Sequence, residues 1–298
     1  MSTNNPADRA PSEGELALST SADSSIGDVL RRSKGLTDEQ IEQIVLYQRA
    51  NNLRFGESAV ALNFANNDEV LWALSQQFHY PYAIKGEREL SEELRAAIDP
   101  FGEQSEVFRD LRSQLLTDFF TPDKPKAALA IVSPDSGDGK TFFSANLAVV
   151  LSQLGAKTLL VDANLRTPRQ HEVFKIRNDV GLSSILMGRE ESHVIHQISD
   201  LPSLFVMPAG TVPPNPLELV QRPAFGLLIN DLLNKFDHVV VDTPGATNGS
   251  DSRVIAAKCG AALVIGRRNR TKMDGLEKLG MGMARSGIRL AGMVINEH

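Results

Sequence analysis

Seven consecutive residues, Ser136-Gly137-Asp138-Gly139-Lys140-Thr141-Phe142, combine the groups needed to hold a polyphosphate. Glycines let backbone N–H groups turn toward an anion with no Cβ in the way. The Lys140 ammonium suits β- and γ-phosphate oxygens, and the Thr141 hydroxyl is a hard oxygen donor for Mg2+. The pattern G-x-x-x-x-G-K-[ST] is broken once, because Pro134 occupies its first glycine. Ser136 through Phe142 are the candidate nucleotide contacts, and the helix expected to begin here adds partial positive charge at its N-terminus.

Two carboxylates extend this chemistry. "TLLVDANLRTPRQHEVF" and "FDHVVVDTPGA" each place an aspartate directly after an apolar run, Asp162 and Asp242. Mg2+ takes few protein carboxylates beside waters and phosphate oxygens. Asp242 is therefore assigned to the metal side with Thr141. Asp162 stands beside it as a further metal-side oxygen and as the group that orients or deprotonates the attacking nucleophile. Lys140, Asp162 and Asp242 form the candidate catalytic set. Arg166 and Arg169 stand open between phosphate or acceptor contacts and solvated roles, and the basic run "GRRNRTK" at 266–272 between a solvated loop and contacts to nucleotide or an adjoining subunit. The six histidines have neither metal-ligand spacing nor a triad companion.

These groups need a scaffold that brings distant segments to one place. "AALAIVS", "KTLLVDA", "LFVMPAG", "HVVVDTP", "ALVIGRR" and "AGMVINEH" are short, nearly continuous apolar runs with helical stretches between most of them. Strands buried on both faces of a parallel sheet have this appearance. The expected fold is α/β: a doubly wound, mainly parallel P-loop domain over 105–298, with its site at the carboxyl ends of the strands. A small, mainly helical domain precedes it at 25–79. There "SIGDVLRRSKGLTDEQIEQIVLYQ" and "RFGESAVALNFANNDEVLWALSQQ" repeat at a 29-residue offset that aligns Gly27 with Gly56 and Ile41 with Val70. Pro, Gly and charge follow one another in "HYPYAIKGERELSEEL", which marks a linker over 80–104. Residues 1–24 have almost no large apolar groups and read as a disordered tail.

Composition removes other classes. A net charge of −6 argues against a nucleic-acid binder. The single cysteine, Cys259, leaves no internal disulfide and reads as small buried filler in a cytoplasmic, reducing compartment. No apolar stretch approaches the roughly 20 residues that span a bilayer, so membrane contact is expected only through a partner.

The order "SPDSGDGKT", "LLVDANLRTP", "FDHVVVDTP" resembles the bacterial tyrosine kinases within the MinD/ParA-type ATPases. Those kinases also lack the first loop glycine, whereas MinD and ParA proteins carry a signature lysine where this chain has Asp135. The resemblance implies ATP and Mg2+, a purine contact at Asn296, and homo-oligomeric self-association through the E-x-x-R-x-x-R run Glu106, Arg109, Arg112. Asn164 stands where the family has the second acid of D-x-D. The three tyrosines, Tyr47, Tyr80 and Tyr82, all precede the phosphate domain, so the acceptor is expected on another protein or at Tyr80 and Tyr82. Residues 25–77 are similar to the N-terminal domain of type II secretion ATPases, the MshEN type, some of which bind cyclic di-GMP. Arg54 matches its motif; Ser25 replaces the arginine of the first copy, and Lys34 and Asn63 replace its mid-motif glycines. Together the two parts resemble tyrosine kinases encoded with exopolysaccharide chain-length determinants, which implies a membrane partner of the Wzz-like kind. Three functions stand open: a protein-tyrosine kinase, a nucleotide-switched assembling ATPase of the polysaccharide machinery, and a MinD/ParA-like positioning ATPase that Asp135 disfavours.

Overall fold

The computed structural model describes residues 25–77, 90–100, 102–189 and 192–297. They divide into two units between residues 80 and 81. The tail expected at 1–24, the first part of the linker, and Tyr80 and Tyr82 lie outside the described residues.

The first unit contains α1 (Ile26–Lys34), α2 (Asp38–Asn51), α3 (Phe55–Ala61) and α4 (Asn67–Gln77). Ser25 with Asp28 and Thr37 with Gln40 form capping boxes that start α1 and α2. At the 29-residue offset, Leu30 pairs with Ala59 and Ile44 with Ala73, and all four are fully buried. At these two positions a large side chain of the first copy corresponds to a small one in the second, and all four belong to one core. The turns also differ. Left-handed backbone falls at Gly35 (φ 67°) in the first copy but at Asn63 (φ 57°) in the second, one residue out of register.

The second unit opens with α5 (Arg95–Ile98) and α6 (Glu103–Asp118), followed by β1 (Ala128–Val132), α7 (Lys140–Ser152), β2 (Thr158–Asp162), α8 (Gln170–Val173) and α9 (Leu182–Leu186). It continues through β3 (His196–Ile198), β4 (Leu201–Met207), α10 (Pro216–Gln221), α11 (Pro223–Lys235), β5 (His238–Asp242) and α12 (Asp251–Cys259). It ends with β6 (Gly260–Arg267), α13 (Met273–Arg285) and β7 (Arg289–Asn296). The strands form one sheet in the order β3-β4-β2-β5-β1-β6-β7. All neighbours are parallel except β3 and β4.

Alternate residues of the central strands enter two cores. Ala130, Val161 and Val241 face one, while Ile131, Leu160 and Val240 face the other. This double burial is why the strand sequences run apolar without alternation. Cys259 is buried filler, as its apolar surroundings predict.

The linker expected over 80–104 is corrected at its far end. Leu94, Ala96 and Ala97 are fully buried with Phe108 and α7. Asn146 accepts from Ala96 N at 2.8 Å and donates to Glu93 O at 2.8 Å, clamping this stretch to α7. Glu92, Glu93 and Arg95 make the segment read as solvated, but the apolar residues among them belong to the core.

Candidate active site

β1 ends at Val132 and its chain turns through 133–139 into α7. Gly137 (φ 85°) and Gly139 (φ 93°) adopt left-handed backbone, which a side chain at either position would strain. Asp138 is buried; its Oδ2 accepts from Asp135 N at 2.9 Å and its Oδ1 from Thr271 Oγ1 at 2.8 Å. Asp138 therefore staples the loop with its carboxylate and has only its backbone N–H to offer an anion. Pro134, in place of the expected glycine, accepts from Thr247 N at 2.9 Å and ties the loop to the chain after β5.

Lys140 Nζ donates to Ser133 Oγ at 2.8 Å and to Asp135 O at 3.0 Å. Burial holds its pKa below the ordinary lysine value, opposed by the charges of Asp242, Asp138 and Asp135.

Asp162 and Asp242 stand opposite each other in the β2–β5 register, both fully buried. Asp242 Oδ2 accepts from Thr141 Oγ1 at 2.8 Å and from Gln170 Nε2 at 2.9 Å. Asp162 Oδ1 accepts from Asn164 N at 3.1 Å; its Oδ2 accepts from Arg169 N at 3.1 Å and Gln170 N at 3.0 Å. Asp162 thus organises the chain that follows it as well as facing the cleft's second acid. Both carboxyls have raised pKa values. Burial is the main cause for each, and the neighbouring Asp242 charge adds to it at Asp162.

Asp242 Oδ1 is buried without a hydrogen-bond partner. With the Thr141 hydroxyl beside it, the site presents hard oxygen atoms, the donor type Mg2+ selects. Among the described residues no cluster of three or more His, Cys, Asp and Glu forms a metal cage.

Asn164 does not substitute for a second acid. Its Nδ2 donates to Thr167 O at 2.8 Å and its Oδ1 accepts from Thr167 N at 3.2 Å, closing the amide on its own loop. Arg166 pairs with Asp251 at 3.0 Å, and Arg169 with Glu93 at 2.7 Å and Glu172 at 3.3 Å. Both arginines therefore bind protein carboxylates.

The basic run does reach the loop. Arg267 donates to Gly137 O at 3.1 Å and Arg270 to Ser136 O at 3.2 Å. Asn296 Nδ2 donates to Asp138 O at 3.2 Å. Phe142 and Asn296 also line a groove of about 650 Å³ with Val107, Phe108 and Ile295.

On α6, Phe108 and Leu115 are buried. Glu106 and Arg109 pair with each other at 2.5 Å, and Arg112 donates to Val150 O at 2.8 Å. Arg54 lies in the other unit as the exposed N-cap of α3, matching Ser25 at the start of α1.

Three site residues escape sequence reasoning. Ser133 directly follows β1 and its hydroxyl accepts from Lys140. Thr271 sits in the basic run but acts through its hydroxyl. Gln170 is carried to Asp242 only because the 163–169 chain folds back, and no spacing in the sequence signals that.

Residues 129–298 match the family described as CobQ/CobB/MinD/ParA nucleotide binding domain. The tyrosine-protein kinase CpsD of Streptococcus agalactiae is 35% identical over 175 residues, covering 58% of this chain and 76% of the relative. The tyrosine-protein kinase YwqD of Bacillus subtilis is 30% identical over 201 residues, covering 67% and 84%. Among solved structures, the kinase domain of the Escherichia coli tyrosine kinase ETK aligns with a TM-score of 0.65 at 29% identity, over 71% of this chain and 83% of that one.

Proposed function

This chain belongs to the CobQ/CobB/MinD/ParA nucleotide-binding family and to its bacterial tyrosine-kinase branch, and from that premise we propose that it transfers the γ-phosphoryl group of ATP to protein tyrosine in the control of exopolysaccharide chain length. The observation that carries the reading is the Thr141 Oγ1 to Asp242 Oδ2 hydrogen bond of 2.8 Å, which joins the phosphate loop to a strand-end acid in register with Asp162.

Phosphoryl transfer asks a protein mainly for positioning and for charge aimed at the phosphate oxygens. Backbone N–H groups at Ser136 to Phe142 cradle the phosphates, and Lys140 supplies the cation. Thr141 and Asp242, with Asp162 beside them, would hold Mg2+, and the bound ion would supply positive charge at the phosphate oxygens. Asp162, in register with Asp242 at the end of β2, receives the tyrosine proton. Asn296 and Phe142 meet the purine.

Glu106, Arg109 and Arg112 mediate self-association, and a Wzz-like chain-length protein supplies the membrane contact. Among the described residues no helix is long and apolar enough to cross a bilayer. Arg54 is the remaining candidate contact for cyclic di-GMP, and calorimetry with that dinucleotide, on wild type and Arg54→Ala, tests it.

A second reading, a nucleotide-switched assembling ATPase without phosphotransfer, is favoured by one feature: the Asn164 amide is closed on Thr167 at the position where the resembled kinases carry a second acid. Labelled ATP with Mg2+, given to wild type and Lys140→Met, separates the two. The kinase reading expects phosphotyrosine that falls at least about a hundredfold in the variant, the scale of losing one charge-stabilising group. Phosphate release without phosphotyrosine establishes the switch. Absence of both overturns the nucleotide reading.

A further inference from the structure

Gln170 is fully buried, yet its side chain reaches three partners across the cleft wall. Nε2 donates to Asp242 Oδ2 at 2.9 Å, to Ser144 Oγ at 2.9 Å and to Thr141 O at 3.2 Å. A carbonyl can only accept, and a carboxylate beside it does the same, so the amide nitrogen must be the atom facing them. Oε1 is bonded to the same carbon and is left buried without a partner. Asp242 Oδ1 is also buried and unpartnered. Two acceptor oxygens on two touching side chains thus lack donors, a costly arrangement unless something in the working state donates to both.

We infer that Gln170 is a positioning residue of the metal side. Its amide N–H group fixes the Asp242 carboxylate beside Thr141, and its Oε1 accepts from a water ligand of Mg2+. Asn164 cannot take that part, because both ends of its amide are closed on Thr167. Gln170 performs without charge part of what a second carboxylate would do, and avoids a third buried negative group next to Asp162 and Asp242. The inference rests on the cleft being a Mg2+–nucleotide site.

Calorimetry of ADP binding, with Mg2+ and with a chelator in its place, tests it on wild type, Gln170→Met and Gln170→Glu. Gln170→Met keeps the volume and removes both polar atoms. It is expected to weaken Mg2+–ADP binding about tenfold, the usual scale for losing a group that orients a metal ligand, and to leave metal-free ADP binding unchanged. Gln170→Glu sets a carboxylate against Asp242. It should melt below wild type without metal and gain more in Tm from Mg2+–ADP than wild type does.

Equal loss of both ADP affinities in Gln170→Met, or loss of neither, overturns the assignment. So does a Gln170→Glu shift no larger than the wild-type one, which also decides the matter should the methionine variant fail to fold. If wild type binds ADP under neither condition, the nucleotide reading itself falls, and this inference with it.

Discussion

In the helical unit, Leu30, Ile44, Ala59 and Ala73 fill the interior, and the buried polar side chains among the described residues are Ser58 and Ser75. Each of those serines donates to its own helix, to Arg54 O and Trp72 O. At the strand ends of the sheet unit the buried groups include Asp138, Lys140, Asp162, Gln170 and Asp242. Burying charge costs free energy unless it is paired, so the second interior is organised at the expense of stability and the first in its favour. The contrast separates a part of the molecule built to hold together from a part built to hold something else.

Large-to-small substitution in the helical core should sharpen this contrast most. Leu30→Ala removes a fully buried side chain from the helical core and should cost the helical unit about 2–5 kcal/mol. Chemical denaturation followed at Trp72 reports it, while ATP binding by the sheet unit stays unchanged. ATP binding that fell in step with the helical unit would break the comparison.

Removing charge from the other interior should have the opposite sign. Asp242→Asn relieves one of two facing carboxylates whose pKa values burial has raised. It is expected to stabilise the metal-free protein, because a buried charge is removed, while activity is lost. The pH dependence follows from the sign of the shift. A carboxyl with a raised folded pKa binds its proton more tightly in the folded state, so metal-free stability falls as pH rises from the ordinary carboxylate range through neutrality. Thermal melts across that range should slope downward in wild type and less so in Asp242→Asn. A flat wild-type profile would refute the buried-charge account.

The smallest effect is expected at a helix cap. Ser25→Ala removes the side-chain acceptor of Asp28 N at the start of α1 and should cost about 0.5–1 kcal/mol of the helical unit's stability. A denaturation midpoint equal to that of wild type would show that this end of the helix frays without consequence.

Much of the sheet could be read in advance because burial on both faces removes polar residues from the strands. The aspartates that end two such runs therefore stood out. β3 did not, since His196-Gln197-Ile198 is a short antiparallel edge piece with one buried residue. Asn164 was legible as a lost charge, but its closure on Thr167 was not. Gln170 was hidden because its role depends on how seven residues fold back toward β5. In the helical unit the repeat was plain, but the burial of Leu30, Ile44, Ala59 and Ala73 in one core emerges only when the halves are packed.

One feature of the sheet unit constrains how it can move. α7 has eleven of its thirteen residues buried, so it is gripped nearly all round and has no room to slide or tilt. Its amides should exchange with solvent only when the whole sheet opens. A response to an occupied cleft must then travel through the flanking chains, at 163–169, 243–250 and 266–272, with the helix serving as the anvil against which they work.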